Sequence, residues 1–279
     1  MDCPPPALDP AILDFYNRSP EEDRLEQGVF QLEALRTREL IRRNAPAPPA
    51  TVVDIGGAAG AYALWLADAG YTVHLVDAVP RLVTEARRRS AAGPRHLASC
   101  EVGDARATPF CDGVADIVLL LGPLYHLTAA TDRGRALSEA ARVLRPGGRL
   151  FAAGISRWVS ALDGLGRDLF QDPTFASMID GAVRDGQYRN PTGQLEYFTT
   201  AYFHRPEELR SEALDAGLIV EGVFGVEGPG WLLPDVDARL ADPHRRADLL
   251  RVARMVESES SVVGVSAHLM LVAGKPSRI

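Results

Sequence analysis

The feature that most limits what this chain can fold into is a short β-branched run that meets a carboxylate and breaks into glycines: Thr51-Val52-Val53-Asp54-Ile55-Gly56-Gly57-Ala58-Ala59-Gly60. An apolar helical pattern follows at once over residues 61–69, and Gly70 ends it. Strand, glycine turn and helix N-terminus in that order let backbone amides come close to a bound ligand. The dinucleotide pattern GxGxxG fails in this register. Counted from Gly56, the required positions hold Ala58 and Ala61; counted from Gly57, they hold Ala59 and Tyr62. A carboxylate just ahead of the turn suits a pyrophosphate poorly and a cationic ligand well.

The texture continues to alternate downstream. Residues 72–76 read as a strand, 80–90 as a helix, 97–102 as a weaker strand and 115–121 as a nearly all-apolar strand. Residues 131–144 form an amphipathic helix stopped by Pro146-Gly147-Gly148, and 149–155 form another strand. Uniformly apolar strands between helices predict an α/β protein with a doubly wound, mostly parallel sheet covered on both faces. Residues 156–205 break the rhythm and read as an insertion over the sheet's C-terminal edge, ending in a β-rich stretch, 196–204. Helix 206–216, strand 218–226, helix 243–258 and strand 265–273 complete the pattern.

Upstream, the proline-rich linker 44–50 sets off residues 19–43, which read as one helix. Ser19 and Glu22 resemble a capping box with Pro20 at the first helical position. Leu25, Val29, Leu32, Leu35 and Leu40 recur at helical spacing. The chain thus divides into a helical cap (1–50), a core (51–155), an inserted lid (156–205) and a C-terminal part of the core (206–279).

Composition narrows the function classes. A net charge of −7 gives no basic footprint for nucleic acid or an anionic membrane. Cys3, Cys100 and Cys111 form no CxxC and no metal-ligand spacing, which fits reduced thiols in a cytoplasm and no metal site. No targeting segment stands out, and the longest apolar run, 117–127, is too short to span a bilayer. A soluble, cytoplasmic protein is expected.

Three further places can carry chemistry. Asp77 ends the strand after the glycine turn, 23 residues beyond Asp54, where a carboxylate can accept both hydroxyls of a ribose or cap the next helix. Asp104, in Gly103-Asp104-Ala105, can accept from an exocyclic amine. Leu121-Gly122-Pro123-Leu124-Tyr125-His126 ends the strongest strand, where open α/β sheets bind ligands.

The stretch Asp54-x-Gly56-x-Ala58-x-Gly60, Asp77, Gly103-Asp104-Ala105 and the helix 139–144 ending in Arg145-Pro146-Gly147-Gly148 together resemble a class I S-adenosylmethionine-dependent methyltransferase. The likeness runs in order through residues 51–155. It departs at Ala58, where the family often has glycine. The segments 121–127, 198–204 and 227–231 are similar to a widespread bacterial subgroup acting on no single substrate.

The resemblance implies a Rossmann-like, seven-stranded sheet with an antiparallel last strand, and S-adenosylmethionine as cofactor. Asp54, Gly56 and Gly60 would hold its methionine part, a ligand with an ammonium and a sulfonium. Asp77 would take the ribose, Asp104 and Ala105 the adenine, and the Leu121 carbonyl the ammonium. Arg36, on the N-terminal helix, would take the cofactor carboxylate. His126 is the candidate base and Tyr16 a residue closing over the site. Tyr125, Arg157, Trp158, Tyr188 and His204 are candidates for the acceptor pocket.

The implied reaction is methylation of a small molecule at O, N or C, of the kind met in secondary metabolism. A cofactor-binding fold that catalyses a cyclisation, and a protein or RNA acceptor, are the alternatives. A homo-oligomer is compatible with the sequence.

Overall fold

The computed structural model describes residues 8–277; Cys3 lies outside the described residues. The elements in chain order are α1 (Pro10–Arg18), α2 (Phe30–Asn44), β1 (Thr51–Ile55), α3 (Ala61–Asp68), β2 (Thr72–Asp77), α4 (Pro80–Ala92) and β3 (Ser99–Val102). Then come β4 (Ala115–Leu120), α5 (Pro123–His126), α6 (Ala130–Val143), β5 (Leu144–Ser156), α7 (Val159–Gly166), α8 (Pro173–Asp185), β6 (Gln187–Tyr188) and β7 (Ala201–His204). The chain closes with α9 (Pro206–Asp215), β8 (Ile219–Gly225), α10 (Val236–Ala241), α11 (Pro243–Val256) and β9 (His268–Gly274).

Strands β3-β2-β1-β4-β5 run parallel, β9 lies antiparallel against β5, and β8 pairs antiparallel with β9. These seven strands are the sheet expected from the sequence. The observed sheet has nine. The extra pair comes from the insertion: β7 continues alongside the end of β5, pairing Ile155 with Phe203 and Ser156 with His204, and β6 pairs with β7. Strand β5 serves both neighbours through its C-terminal part, 149–155 with β9 and 155–156 with β7, and the Pro146-Gly147-Gly148 stretch, read as a stop, is part of the strand.

Both sheet faces are dry. Val53, Ile55, Val118, Leu120 and Leu150 pack against α6 on one side. Val52, Leu75, Ile117, Leu119 and Phe151 pack against α3 and α2 on the other. Such two-sided burial is why the strands read as continuous apolar runs.

The N-terminal cap differs from the single helix expected over 19–43. Ser19 ends α1 instead of capping a new helix, and residues Glu21–Glu26 form a 3-10 turn. Gly28, at φ +56°, breaks the path before α2 begins. Glu22 bonds Arg81 on α4 rather than closing a capping box. Leu32 and Leu40 are buried, but Leu35, on the same helix, faces outward. Among the described residues no helix is long and apolar enough to cross a membrane.

Candidate functional site

The carboxyl ends of β1, β2, β3 and β4 open into one cavity. Asp54 sits near the end of β1, 2 % exposed, with Oδ2 buried, unpartnered and facing the turn. Burial, with Asp77 adding to it, holds its carboxyl up at about 7. An unpartnered buried oxygen of this kind is costly unless a ligand satisfies it.

The turn packs its backbone closely against that oxygen. A Cβ on Gly57 would lie 2.7 Å from Asp54 Oδ2, and one on Gly56 (φ +76°) would lie 2.5 Å from the Pro123 ring. Ala58 holds φ +47°, a region that favours glycine. Asp77 offsets that strain: its Oδ2 accepts from the Ala58 amide at 2.8 Å, and its Oδ1 from the Val79 amide at 2.8 Å. Asp77 therefore ties the turn to the start of α4 while still lining the cavity. Gly60 caps α3 at φ +86° and stands behind the wall.

Asp104, Ala105 and Leu121 also line this cavity. Asp104 is less available than expected. Arg106 engages both its oxygens, at 2.8 and 2.6 Å, and reaches on to Asp132.

At the mouth, the Tyr16 hydroxyl lies 2.7 Å from His126 Nε2, while His126 Nδ1 faces the Thr200 carbonyl at 3.3 Å. These partners assign the neutral tautomer: Nδ1–H donates to Thr200, and Nε2 accepts from Tyr16. Burial pushes the imidazole down to about 4. His126, the expected base, lines the cavity, with the lone pair a base would use engaged by Tyr16.

A second cavity adjoins the first. Tyr16, Tyr125, Glu21, Arg24, Glu33 and His268 are common to both. Its further walls are Phe15 of α1, Phe30 of α2, Phe198 and Leu195 of the insertion, and Trp231. Phe15 packs edge-on against Tyr16 and Phe198, 5.3 and 5.2 Å between ring centres, so cap and insertion meet over this chamber.

Arg36 does not reach either cavity. It is fully buried, pairs with Glu257, bonds Glu39 at 2.6 Å and donates to the Val226 carbonyl at 3.1 Å. It clamps α2 to the turns after β8 and α11.

Four expected acceptor residues are also turned away. Arg157 bonds Glu208 (2.6 Å) and the Phe203 carbonyl (2.7 Å). Tyr188 stacks on Phe203 at 4.9 Å, and His204 is buried against Glu212 at 3.2 Å. Trp158 lies at the surface under Arg205. All four pack the insertion onto the sheet. Of the acceptor candidates, Tyr125 alone lines a cavity, and it lines both.

Sequence reasoning missed the charged group between the chambers. Arg24 grips Glu33 through two bonds, at 2.7 and 3.2 Å. Glu227, 2 % exposed, accepts from the Ser266 hydroxyl at 2.7 Å and from the His268 amide at 3.0 Å. The available signal was a histidine set at the head of an otherwise apolar final strand.

Residues 53–152 match a family model described as a methyltransferase domain. A demethylmenaquinone methyltransferase from Beutenbergia cavernae is 36% identical over 201 residues, 61% of this chain and 78% of that protein. The chain belongs to the class I S-adenosylmethionine-dependent methyltransferases. A ubiquinone/menaquinone biosynthesis C-methyltransferase from Acidiphilium cryptum is 35% identical over 137 residues. That match takes in 48% of this chain and spans about half (53%) of the relative's own length.

The geranyl diphosphate C-methyltransferase of Streptomyces coelicolor A3(2), solved with S-adenosyl-L-homocysteine, shares the fold. It aligns at a TM-score of 0.55 and 16% identity over 96% of this chain and 85% of that one. The cofactor of this methyltransferase is S-adenosylmethionine, and the unpartnered Asp54 oxygen beside a glycine turn fits its cationic end.

Proposed function

We propose that this methyltransferase methylates a small, ring-bearing molecule held in the chamber between the N-terminal cap and the insertion. The observation that carries this reading is the second cavity itself, with Phe15, Phe30, Phe198 and Trp231 in its walls and Tyr16 and Tyr125 shared with the loop cavity. Concave sites that combine aromatic walls with polar groups, here Arg24, Glu33 and His268 among them, are where small ligands bind. The names of the relatives add that a quinone-type ring, methylated at carbon, is the first acceptor to test.

In this reading Asp54 and the Leu121 carbonyl take the cofactor's ammonium, Gly56 lets it lie against the backbone, and Asp77 takes the ribose hydroxyls. Ala105 and Asp104 border the adenine. The bound cofactor supplies an electrophilic methyl on a sulfonium, and the protein's part is alignment and exclusion of water. The Tyr16–His126 pair closes the junction, and Phe15 and Phe198 roof the acceptor.

The test is incubation with S-adenosylmethionine and a panel of phenols and quinols, read by mass spectrometry. The reading expects a product heavier by one methylene, with one S-adenosylhomocysteine per product. A product of unchanged mass, or no S-adenosylhomocysteine with any acceptor, overturns it.

A further inference from the structure

His268 opens β9 at the seam between the two cavities and lines both. Its Nδ1 is 2.6 Å from Glu227 Oε1. Glu33 Oε2 lies 3.9 Å from the same nitrogen. Glu227 is itself held by Ser266 and by the His268 amide, so the ring cannot turn without breaking a buried carboxylate's bonds. Nδ1 is thus committed, and Nε2 has no protein partner among the described residues. With one nitrogen bound to a carboxylate, the proton of the other is free for a ligand.

We propose that His268, oriented by Glu227, donates a hydrogen bond from Nε2 to an oxygen of the acceptor, so that the chamber selects rings bearing a phenol or carbonyl oxygen over bare hydrocarbons. This rests on the proposed function, whose acceptor it specifies. His268 is an acceptor-binding residue, and Glu227 is a positioning residue acting through it.

The charges around the ring support donation. Burial alone would lower the imidazole's affinity for a proton. The carboxylates of Glu33 and Glu227 outweigh that and hold it at about 9, with Arg24 opposing. The other titratable and charged groups that share the cavity wall are Glu21, Tyr16, Tyr125, Asp163, Arg167 and Glu196. At neutral pH the ring is an imidazolium whose positive charge is balanced by its neighbours, which strengthens the bond it gives.

The donor atoms of Glu33, Glu227 and His268 lie within 4.8 Å of one another, a spacing that a divalent cation also accepts. Arg24 and the His268 ring already consume those oxygens. The existing pairing therefore favours a proton-bearing site.

The test measures binding without requiring turnover. Trp231 lines the chamber, so quenching of tryptophan fluorescence reports occupancy. Wild type and His268→Gln, both saturated with S-adenosylhomocysteine, are titrated with 1-naphthol and with naphthalene at pH 7. Wild type is expected to prefer 1-naphthol by about 10- to 100-fold, the range of a charge-assisted hydrogen bond. His268→Gln should lose most of that preference while binding naphthalene and S-adenosylhomocysteine as before. Glu227→Gln should lose part of it.

With 1-acetonaphthone, whose oxygen does not titrate, wild-type binding should weaken as pH passes about 9, and the variant's should not. Preference retained in His268→Gln, or preference abolished by EDTA and restored by Mg2+, overturns the inference. If neither ring binds wild type at all, the chamber is not an acceptor site, and the proposed function fails with it.

Discussion

The hydroxyl of Tyr16 and Nε2 of His126 meet at 2.7 Å across 110 residues of sequence. This contact joins α1 to the short helix after β4. Arg81 reinforces it by donating to the Tyr16 carbonyl at 2.6 Å. Because His126 is held neutral, kcat/KM should show no inflection from it between pH 5 and 8. Tyr16→Phe, which removes one hydrogen bond worth ~1 kcal/mol, should weaken cofactor binding about fivefold and leave the fold intact. The pH–rate profile and titration calorimetry check both outcomes.

Asp54 carries a distinct pH signature. Its folded-state carboxyl is raised, so ionisation opposes folding. The ligand-free protein should lose stability as pH rises from the usual carboxylate range to about 7, and no further from this group above that. Asp54→Asn removes this loss. Its melting temperature should exceed wild type at pH 8 by several degrees and by less at pH 5. The cationic cofactor binds the ionised form, so its affinity should fall about tenfold per pH unit below pH ~7. Calorimetry should show a proton released on binding at pH 6.

Arg36 separates structure from cofactor binding. Arg36→Ala strips buried Glu257 of its buried partner and leaves it only the half-exposed Arg43, with an expected cost of about 1–3 kcal/mol. Cofactor affinity of the folded fraction should be unchanged. Denaturant unfolding and calorimetry distinguish this from a carboxylate-binding role, which would reverse the pattern.

Phe198 roofs the acceptor chamber and borders only that chamber. Phe198→Ala should raise the KM for a ring acceptor about tenfold or more, from lost apolar burial and ring contact. The cofactor Kd should not move. Steady-state kinetics with varied acceptor and varied cofactor separate the two effects.

The core of the fold was legible because its signals are local. The strand–turn–helix around Gly56, the two-sided apolar strands and the carboxylates ending β1 and β2 follow from short-range sterics and burial. The cap was not, because helical periodicity continued across residues 19–43 while Gly28 and the Arg24–Glu33 pair turned the chain.

The acceptor candidates failed for a related reason. Arg157, Tyr188 and His204 look chemically rich in a linear reading, yet they satisfy Glu208 and Glu212 of α9 and the ring of Phe203. His268 and Glu227 stand 41 residues apart from each other and far from the glycine turn in sequence. Only antiparallel insertion of β9 beside β5 brings them to the seam. Pairings set by long-range topology leave no spacing pattern to read.

The most direct measurement of the central claim is calorimetric titration of S-adenosylmethionine into wild type, Asp77→Asn and His268→Gln at pH 7.5. Saturable binding to wild type at one molecule per chain, lost or strongly weakened in Asp77→Asn and retained in His268→Gln, is the expected result. No binding to wild type, or equal binding to Asp77→Asn, would contradict the account.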